Sequence, residues 1–340
     1  ALPTLIAPFF FFALTWAVGG TSTQASRDKF DTFLKGKIKE VGTKVGYAPD
    51  TSVFDVTYDT ATNSWRKWVA TIDPYSIPDK CNFQQDFNSL IVPTAASICY
   101  TNIIDTLLKG KKHILVVGQT GTAKSVVVQQ KLTMGLGSKY LGSGPVPGAE
   151  PIMMSFSAQT GANATQDILD GKFEKRRQGT DKDTGLAYTM WGPMLGKQFC
   201  IFVDDFNMPK RETYGAQPPI ELMRQMVDHG GWYDRKIFRV KQIVDVTLIG
   251  AMGPPGGGRQ LMTNRMIRHM HMVTFVDLST EEIKTIFNMI TCTFLRVTFG
   301  DEAQSVGTSI VNATINVYYA ALDSLRPTPE KPHYTFNLRD

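Results

Sequence analysis

The eight residues Gly118-Gln119-Thr120-Gly121-Thr122-Ala123-Lys124-Ser125 bring together what a polyphosphate needs. Glycines let a loop turn several backbone N–H groups towards one point, and a helix starting at the lysine adds the positive end of its dipole. Lys124 is placed to neutralise β- and γ-phosphates, and the Ser125 hydroxyl to ligate Mg²⁺. The full pattern has glycine before the lysine, where Ala123 stands here. A methyl group there is conformationally acceptable at a helix start but crowds the place of a phosphate oxygen. The expectation is weaker binding by an intact loop.

A second group lies downstream. Phe199-Cys200-Ile201-Phe202-Val203-Asp204-Asp205 is an apolar run ending in paired acids, a buried strand with a charged tip. Asp204 is placed to hold Mg²⁺ through water, and Asp205 to orient or deprotonate an attacking water.

These groups need a scaffold. His113–Val117 ahead of the loop is a short β-branched run, the pattern of a buried strand, and Val126–Leu132 behind it continues as a helix. Pro151–Phe156, Val244–Gly250 and Met272–Val276 are further strands; Ala164–Lys175, Pro218–His229 and the short Leu261–Arg268 are helices. Gly231–Val240 reads as a hairpin turning at Asp234–Lys236, Gln178–Lys197 as a polar, Gly-rich excursion, and Gly253–Arg259 as a loop. From Ser279 the chain turns helical (Glu281–Phe294, Gln304–Leu325). The class is α/β: a P-loop fold with a parallel five-stranded sheet flanked by helices, followed by the start of a helical lid domain, with nucleotide at the strand carboxyl ends.

Upstream, Leu5–Val18 is apolar but too short to span a bilayer, contains Pro8 and has no basic region before it. It reads as a core helix of a preceding domain in a larger polypeptide. An amphipathic stretch, Arg27–Lys39, follows. Residues 46–90 have the mixed composition of an extended linker, and Pro93 opens a helical pattern ending at Gly110. The 340 residues suit two domains. A net charge of +5, with basic clusters interleaved by Gly or Glu, fits solvated helix ends better than a nucleic-acid stripe, so neither nucleic acid nor membrane is an expected partner. Four scattered cysteines without CxxC spacing fit a reducing compartment, and His269 and His271 lack nearby Cys or carboxylate partners for zinc.

The segments GQTGTAKS, FVDDFNMP, YGAQPPIELMRQMVDHGGWYD and HYTFNLRD together resemble the third AAA+ module of an axonemal dynein heavy chain. The opening FFFFALTWAVGG resembles the end of the second module's small domain, and the Ala-Lys form of the loop leans towards the outer-arm group. The resemblance implies the end of a small domain at 1–45, a linker at 46–90, an AAA+ large domain at 91–278 and the start of its lid at 279–340. It also implies a six-module ring of an ATP-driven, minus-end-directed microtubule motor of cilia and flagella, located in the axoneme on the cytoplasmic side. In that ring the first module does most of the turnover and the third gates the motor by its nucleotide state. The implied cofactors are ATP or ADP and Mg²⁺. The implied partners are neighbouring AAA+ modules, with intermediate and light chains and microtubules reached through other parts of the chain.

By the same resemblance, Gly118 to Ser125 match the Walker A loop, Asp204-Asp205 the Walker B pair, and Gly253 the sensor position that often carries Asn. Arg265 or Arg268 matches an arginine finger for the neighbouring module, and Arg339 the small-domain sensor arginine. Ala123, Asp205 in place of Glu, and Gly253 without a side chain all weaken hydrolysis more than binding, since a misplacement of about 1 Å can cost on the order of a hundredfold. The expected activity is an ATPase site that holds nucleotide and turns over slowly. A standalone P-loop phosphotransferase and a structural module with an empty site are the rival readings.

Overall fold

The computed structural model describes residues 2–41, 50–78, 81–87, 90–133, 149–180, 185, 187–331, 334 and 336–338. In chain order the elements are α1 (Leu2–Ala17), α2 (Gln24–Val41), β1 (Val56–Asp59), β2 (Ser64–Lys67), α3 (Phe83–Asp86), α4 (Ala95–Lys109), β3 (Ile114–Val117), α5 (Lys124–Thr133), β4 (Ala149–Ser155) and α6 (Ala162–Asp170). Then follow β5 (Glu174–Thr180), β6 (Ala187–Gly192), β7 (Gln198–Asp204), α7 (Pro218–His229), β8 (Gly231–Tyr233), β9 (Val240–Ile243), β10 (Val246–Met252), α8 (Asn264–Ile267), β11 (His271–Thr274), α9 (Thr280–Phe299) and α10 (Asp301–Ser324). Two compact units emerge: Ala1–Val45 with Tyr100–Gln119 and Ala123–Val276, and Gly46–Cys99 with Thr120–Thr122 and Asp277–Asp340.

The first unit is built on the expected parallel five-stranded sheet, in the order β11-β3-β10-β7-β4. Its central strands read as continuous apolar runs because both faces are covered. Along β7, Phe199, Cys200, Ile201, Phe202 and Val203 are all buried, each large side chain contributing about 1.5–3 kcal/mol at most. Burial also pushes the Cys200 thiol up to about 11, leaving it protonated and inert. Gly250, mid-strand in β10, makes room for a neighbour: a Cβ there would lie 3.0 Å from the ring of Phe206.

Helix α7 starts with prolines in its first turn and ends at Gly230 in a left-handed conformation (φ 71°), with Ile220, Leu222, Met223 and Met226 buried. Its start and end match the sequence expectation. At the amino end of the unit, the buried Arg27 donates to Gly20 O (3.3 Å), Thr274 O (2.6 Å) and the Tyr100 hydroxyl (3.4 Å), tying α2 to the end of β11.

A four-stranded sheet, β5-β6-β9-β8, was not expected. The polar excursion at Gln178–Lys197 contains β6 and the last three residues of β5, while Glu174 and Lys175, expected at the end of a helix, open β5 because the helix stops at Asp170. The charged Glu174–Thr180 is an edge strand with mainly exposed side chains, so it carries no apolar alternation to read. The hairpin does form, between β8 and β9, with a longer turn than expected because the Asp234 carboxylate accepts from the N–H groups of Lys236 (2.8 Å) and Ile237 (3.1 Å). Lys241 on β9 bridges Asp170 and Asp234, each at 2.9 Å, over the Trp191 ring. The bond from Lys241 holds the Asp234 carboxyl at about 2.

In the second unit, part of the stretch expected as extended linker is ordered. β1 and β2 pair as a hairpin, and the buried Trp68 donates from Nε1 to Phe54 O at 3.1 Å. Helix α9 opens with a reciprocal capping box: Ser279 Oγ accepts from Glu282 N (3.3 Å) and Glu282 Oε2 accepts from Ser279 N (3.0 Å). Ile283 packs with Val311 and Ile315 of α10. Among the described residues no helix is long and apolar enough to cross a membrane.

His113, directly before β3, accepts the Leu248 N–H at Nδ1 (3.0 Å). Burial, with His269 and His271 nearby, pushes its imidazole down from 6.5 to about 4. Between those values the unfolded chain takes up a proton that the folded chain refuses, so this contribution is complete above pH 6.5 and is lost as pH falls towards 4. Urea unfolding between pH 7 and 4.5 should show a decline of up to about 3 kcal/mol from this group. His113→Asn, which keeps an acceptor for Leu248, should flatten the decline; an unchanged slope would assign it elsewhere.

Candidate functional site

The loop after β3 is built from backbone that L-residues rarely adopt. Gly121 has φ 89° and Ala123 φ 57°. The Gly118 N–H donates to Met252 O at 3.2 Å, joining the start of the loop to the end of β10. Gly118 and Thr122 are buried, Thr120, Gly121, Lys124 and Ser125 are intermediate, and Gln119 and Ala123 are exposed. A Cβ on Gly121 would lie 3.4 Å from the Leu338 nitrogen. Lys124 opens α5 with its Nζ donating to Gln119 O at 2.5 Å. The expectation that alanine is conformationally acceptable at 123 is corrected here: the position is left-handed, and the glycine of the full pattern would relieve backbone strain.

Helix α5 carries a residue that periodicity had not singled out. Lys131 is fully buried, and its Nζ lies 2.7 Å from Asp105 Oδ1 on α4, whose Oδ2 meets Lys109 at 2.7 Å. Desolvation pushes the Lys131 amine down, and the bond to Asp105 opposes that.

The paired acids sit where β7 ends. Asp204 closes the strand, and its O accepts the Phe156 N–H at 3.0 Å. Asp205 turns left-handed (φ 49°), with its N–H donating to Asp204 Oδ1 at 3.0 Å. Phe206 N then donates to Ala251 O at 2.9 Å. β10 pairs with both β3 and β7, so the loop and the acids stand at the carboxyl ends of strands flanking one shared neighbour.

Two residues here were not foreseen. Asn207 is fully buried; its Nδ2 donates to Gly253 O (2.9 Å) and Gln260 O (3.1 Å), and Gln260 N donates to Asn207 O (3.0 Å). The turn Gly256–Arg259 closes on itself through two backbone hydrogen bonds, with Gly256, Gly257 and Gly258 all at positive φ. Arg259 thereby lies against Gly253, with Nη2 3.6 Å from Asp205 Oδ1. The sequence signal was the three-glycine run before an arginine.

The finger candidates differ in their surroundings. Arg268 contacts Asp228 Oδ2 (3.1 Å) and His269 Nε2 (3.0 Å), and Arg224 reaches the same carboxylate at 2.8 Å. His269 Nε2 lies 3.4 Å from Asp228 Oδ1, correcting the expectation that it has no carboxylate neighbour. Arg265 is exposed on α8, and its guanidinium has no ion-pair or hydrogen-bond partner among the described residues. Arg339 lies outside the described residues.

A parallel sheet in this order, with a glycine loop after β3 and paired acids after β7, defines a P-loop nucleotide-binding module. The chain belongs to the family of P-loop containing dynein motor regions, whose model matches residues 79–278. The dynein heavy chain AAA lid domain matches residues 1–70. The chain is similar to dynein axonemal heavy chain 1 of Mus musculus, 38% identical over 364 aligned residues covering 100% of this chain and 8% of that protein. Dynein axonemal heavy chain 12 of Mus musculus is 39% identical over 345 residues, covering 97% of this chain and 10% of that protein. Dynein axonemal heavy chain 3 of Mus musculus is 36% identical, with 97% and 8% covered. The chain thus spans about a tenth or less of the curated relatives it matches.

Because Ala123 is left-handed, Ala123→Gly should stabilise the fold by about 1 kcal/mol, strain relief outweighing the added freedom of the unfolded chain. A denaturant midpoint that moves up supports this; one that moves down shows that the strain is compensated elsewhere.

Proposed function

We propose that this chain is the third AAA+ module of an axonemal dynein heavy chain, with the end of the second module's small domain, and that its site holds ATP or ADP with Mg²⁺ as a slowly hydrolysing regulatory switch. The observation carrying the reading is the shared strand β10, which brings the end of β3 and the end of β7 to one rim. The residues present fit the group. Left-handed backbone at Gly121 and Ala123 shapes the loop, Lys124 supplies a cation at a helix start, and Asp204 and Asp205 are carboxylates at that rim.

Lys124 would neutralise the terminal phosphates, Ser125 and Asp204 would hold Mg²⁺, and Asp205 would orient the attacking water. The bound metal supplies charge neutralisation at the phosphoryl oxygens. Asp205 is one methylene shorter than Glu, so water is held less well than phosphate, which supports binding over turnover. Arg265, exposed and unpaired among the described residues, is the finger best placed to reach a neighbouring module. Ring neighbours, intermediate and light chains, microtubules and the axoneme are the setting this family membership supports.

Lys124→Ala should abolish nucleotide binding in calorimetry, and native mass spectrometry should find nucleotide on the wild-type chain. An empty wild-type site would instead favour a structural module. Asp205→Glu should raise single-turnover hydrolysis severalfold, the gain being limited by the left-handed backbone at 205. Wild-type turnover as fast as that of a strong ATPase would sink the regulatory reading.

A further inference from the structure

Gly253 follows the last residue of β10 and has no side chain to offer the site. The space beside it is nevertheless filled. A Cβ at Gly253 would lie 2.7 Å from Arg259 Nε and 2.8 Å from Arg259 Cδ, so the arginine's side chain occupies the volume that a side chain at 253 would take. Its Nη2 lies 3.6 Å from Asp205 Oδ1, and its Nε is buried without a hydrogen-bond partner among the described residues. The arginine is held there by design of the backbone. Gly256, Gly257 and Gly258 turn the chain back at positive φ, and Asn207, two residues after Asp205, clamps both ends of the loop through Gly253 O and Gln260 O.

We infer that Arg259 takes over the sensor role that Gly253 cannot perform: it is a positioning residue that reads the terminal phosphate from within the same chain and sets the orientation of Asp205. This rests on the proposed nucleotide site. The chemistry is a charge shared between two anions. Without a terminal phosphate, the guanidinium leans on Asp205 and engages its Oδ1, one of the two oxygens that could orient a water. A triphosphate at the rim offers a second and stronger acceptor, including for the unpartnered Nε, and so frees Asp205 to hold water. A diphosphate lacks the group that would compete. Arg259 therefore couples the number of phosphates to the state of the second acid, and the absence of a side chain at 253 is what admits it.

The test compares ATPγS and ADP by calorimetry, and ATP by single-turnover hydrolysis, on this chain, with Lys124→Ala assigning the signal to this site. Arg259→Ala should lower the ATPγS affinity about tenfold or more while changing the ADP affinity less than about threefold, and slow hydrolysis at least tenfold. Arg259→Lys should restore part of the ATPγS preference, because it keeps the charge. Gly253→Ala should reproduce the Arg259→Ala pattern by evicting the side chain with Arg259 still present. Unchanged ATPγS-to-ADP ratios in Arg259→Ala and Gly253→Ala, or equal losses of both nucleotides with a lowered unfolding midpoint, would overturn the inference and leave a structural loop clamp. A wild-type chain that binds neither nucleotide would overturn the site itself, and this inference with it.

Discussion

Three parallel strands whose carboxyl ends are locked in register carry the whole site. Met252 of β10 stands opposite Val117 of β3, and Gly250 stands opposite Val203 of β7. One residue of slip in β10 would move its end by about 3.3 Å and turn its buried side chains to the wrong face. It would also break the hydrogen bond from Gly118 N to Met252 O and displace Ala251 O from Phe206 N. The apolar burial on both faces of β10 and β7 therefore fixes more than stability. It sets the height at which the chain leaves β3 for the loop and β7 for the acids.

Two of the six non-glycine residues at positive φ among the described residues lie at this rim. Ala123 and Asp205 are both left-handed, on the two sides of the shared strand, and neither is glycine. Such residues persist where surrounding bonds over-determine the backbone. At Asp205 those bonds are identifiable: its own N–H to Asp204 Oδ1, and Phe206 N–H to Ala251 O immediately after. Aspartate tolerates this conformation better than most residues, because its short polar side chain finds local partners. At Ala123, α5 holds the next turn through Val127 N to Ala123 O at 3.0 Å. The same residue type that fits poorly at a helix start is thus kept in place by the helix that follows it.

What could be read along the chain was what is contiguous. β3 and β7 are unbroken apolar runs because the sheet is covered on both sides, and α7 announces itself by prolines at one end and glycine at the other. The phosphate loop and the paired acids were legible for the same reason: each is a short local string. The second sheet was not, because β5 is a charged edge strand whose composition is that of a solvated loop. Nor were the contacts that cross the chain. Arg259 meets Asp205, and His113 meets Leu248, only once the strand order is known. Lys131 is the clearest case. A lysine at full burial defies composition, and the ion pair with Asp105 on α4 offsets its desolvation, since a buried amine without its partner would be strongly destabilising.

The surroundings of the two finger candidates bear on how an arginine can serve a neighbouring module at all. A group that reaches outward must give up what holds it at home. Arg268 shares Asp228 with Arg224 and His269, so its departure leaves that carboxylate still paired with Arg224 at 2.8 Å, and what is given up is its contact with Asp228 at 3.1 Å and its contact with His269 Nε2 at 3.0 Å. The Arg268 guanidinium is itself exposed, and an ion pair of this kind is screened by water. What separates the two arginines is where each begins. Arg265 is exposed, with no ion-pair or hydrogen-bond partner among the described residues, whereas Arg268 is folded back onto Asp228 of α7.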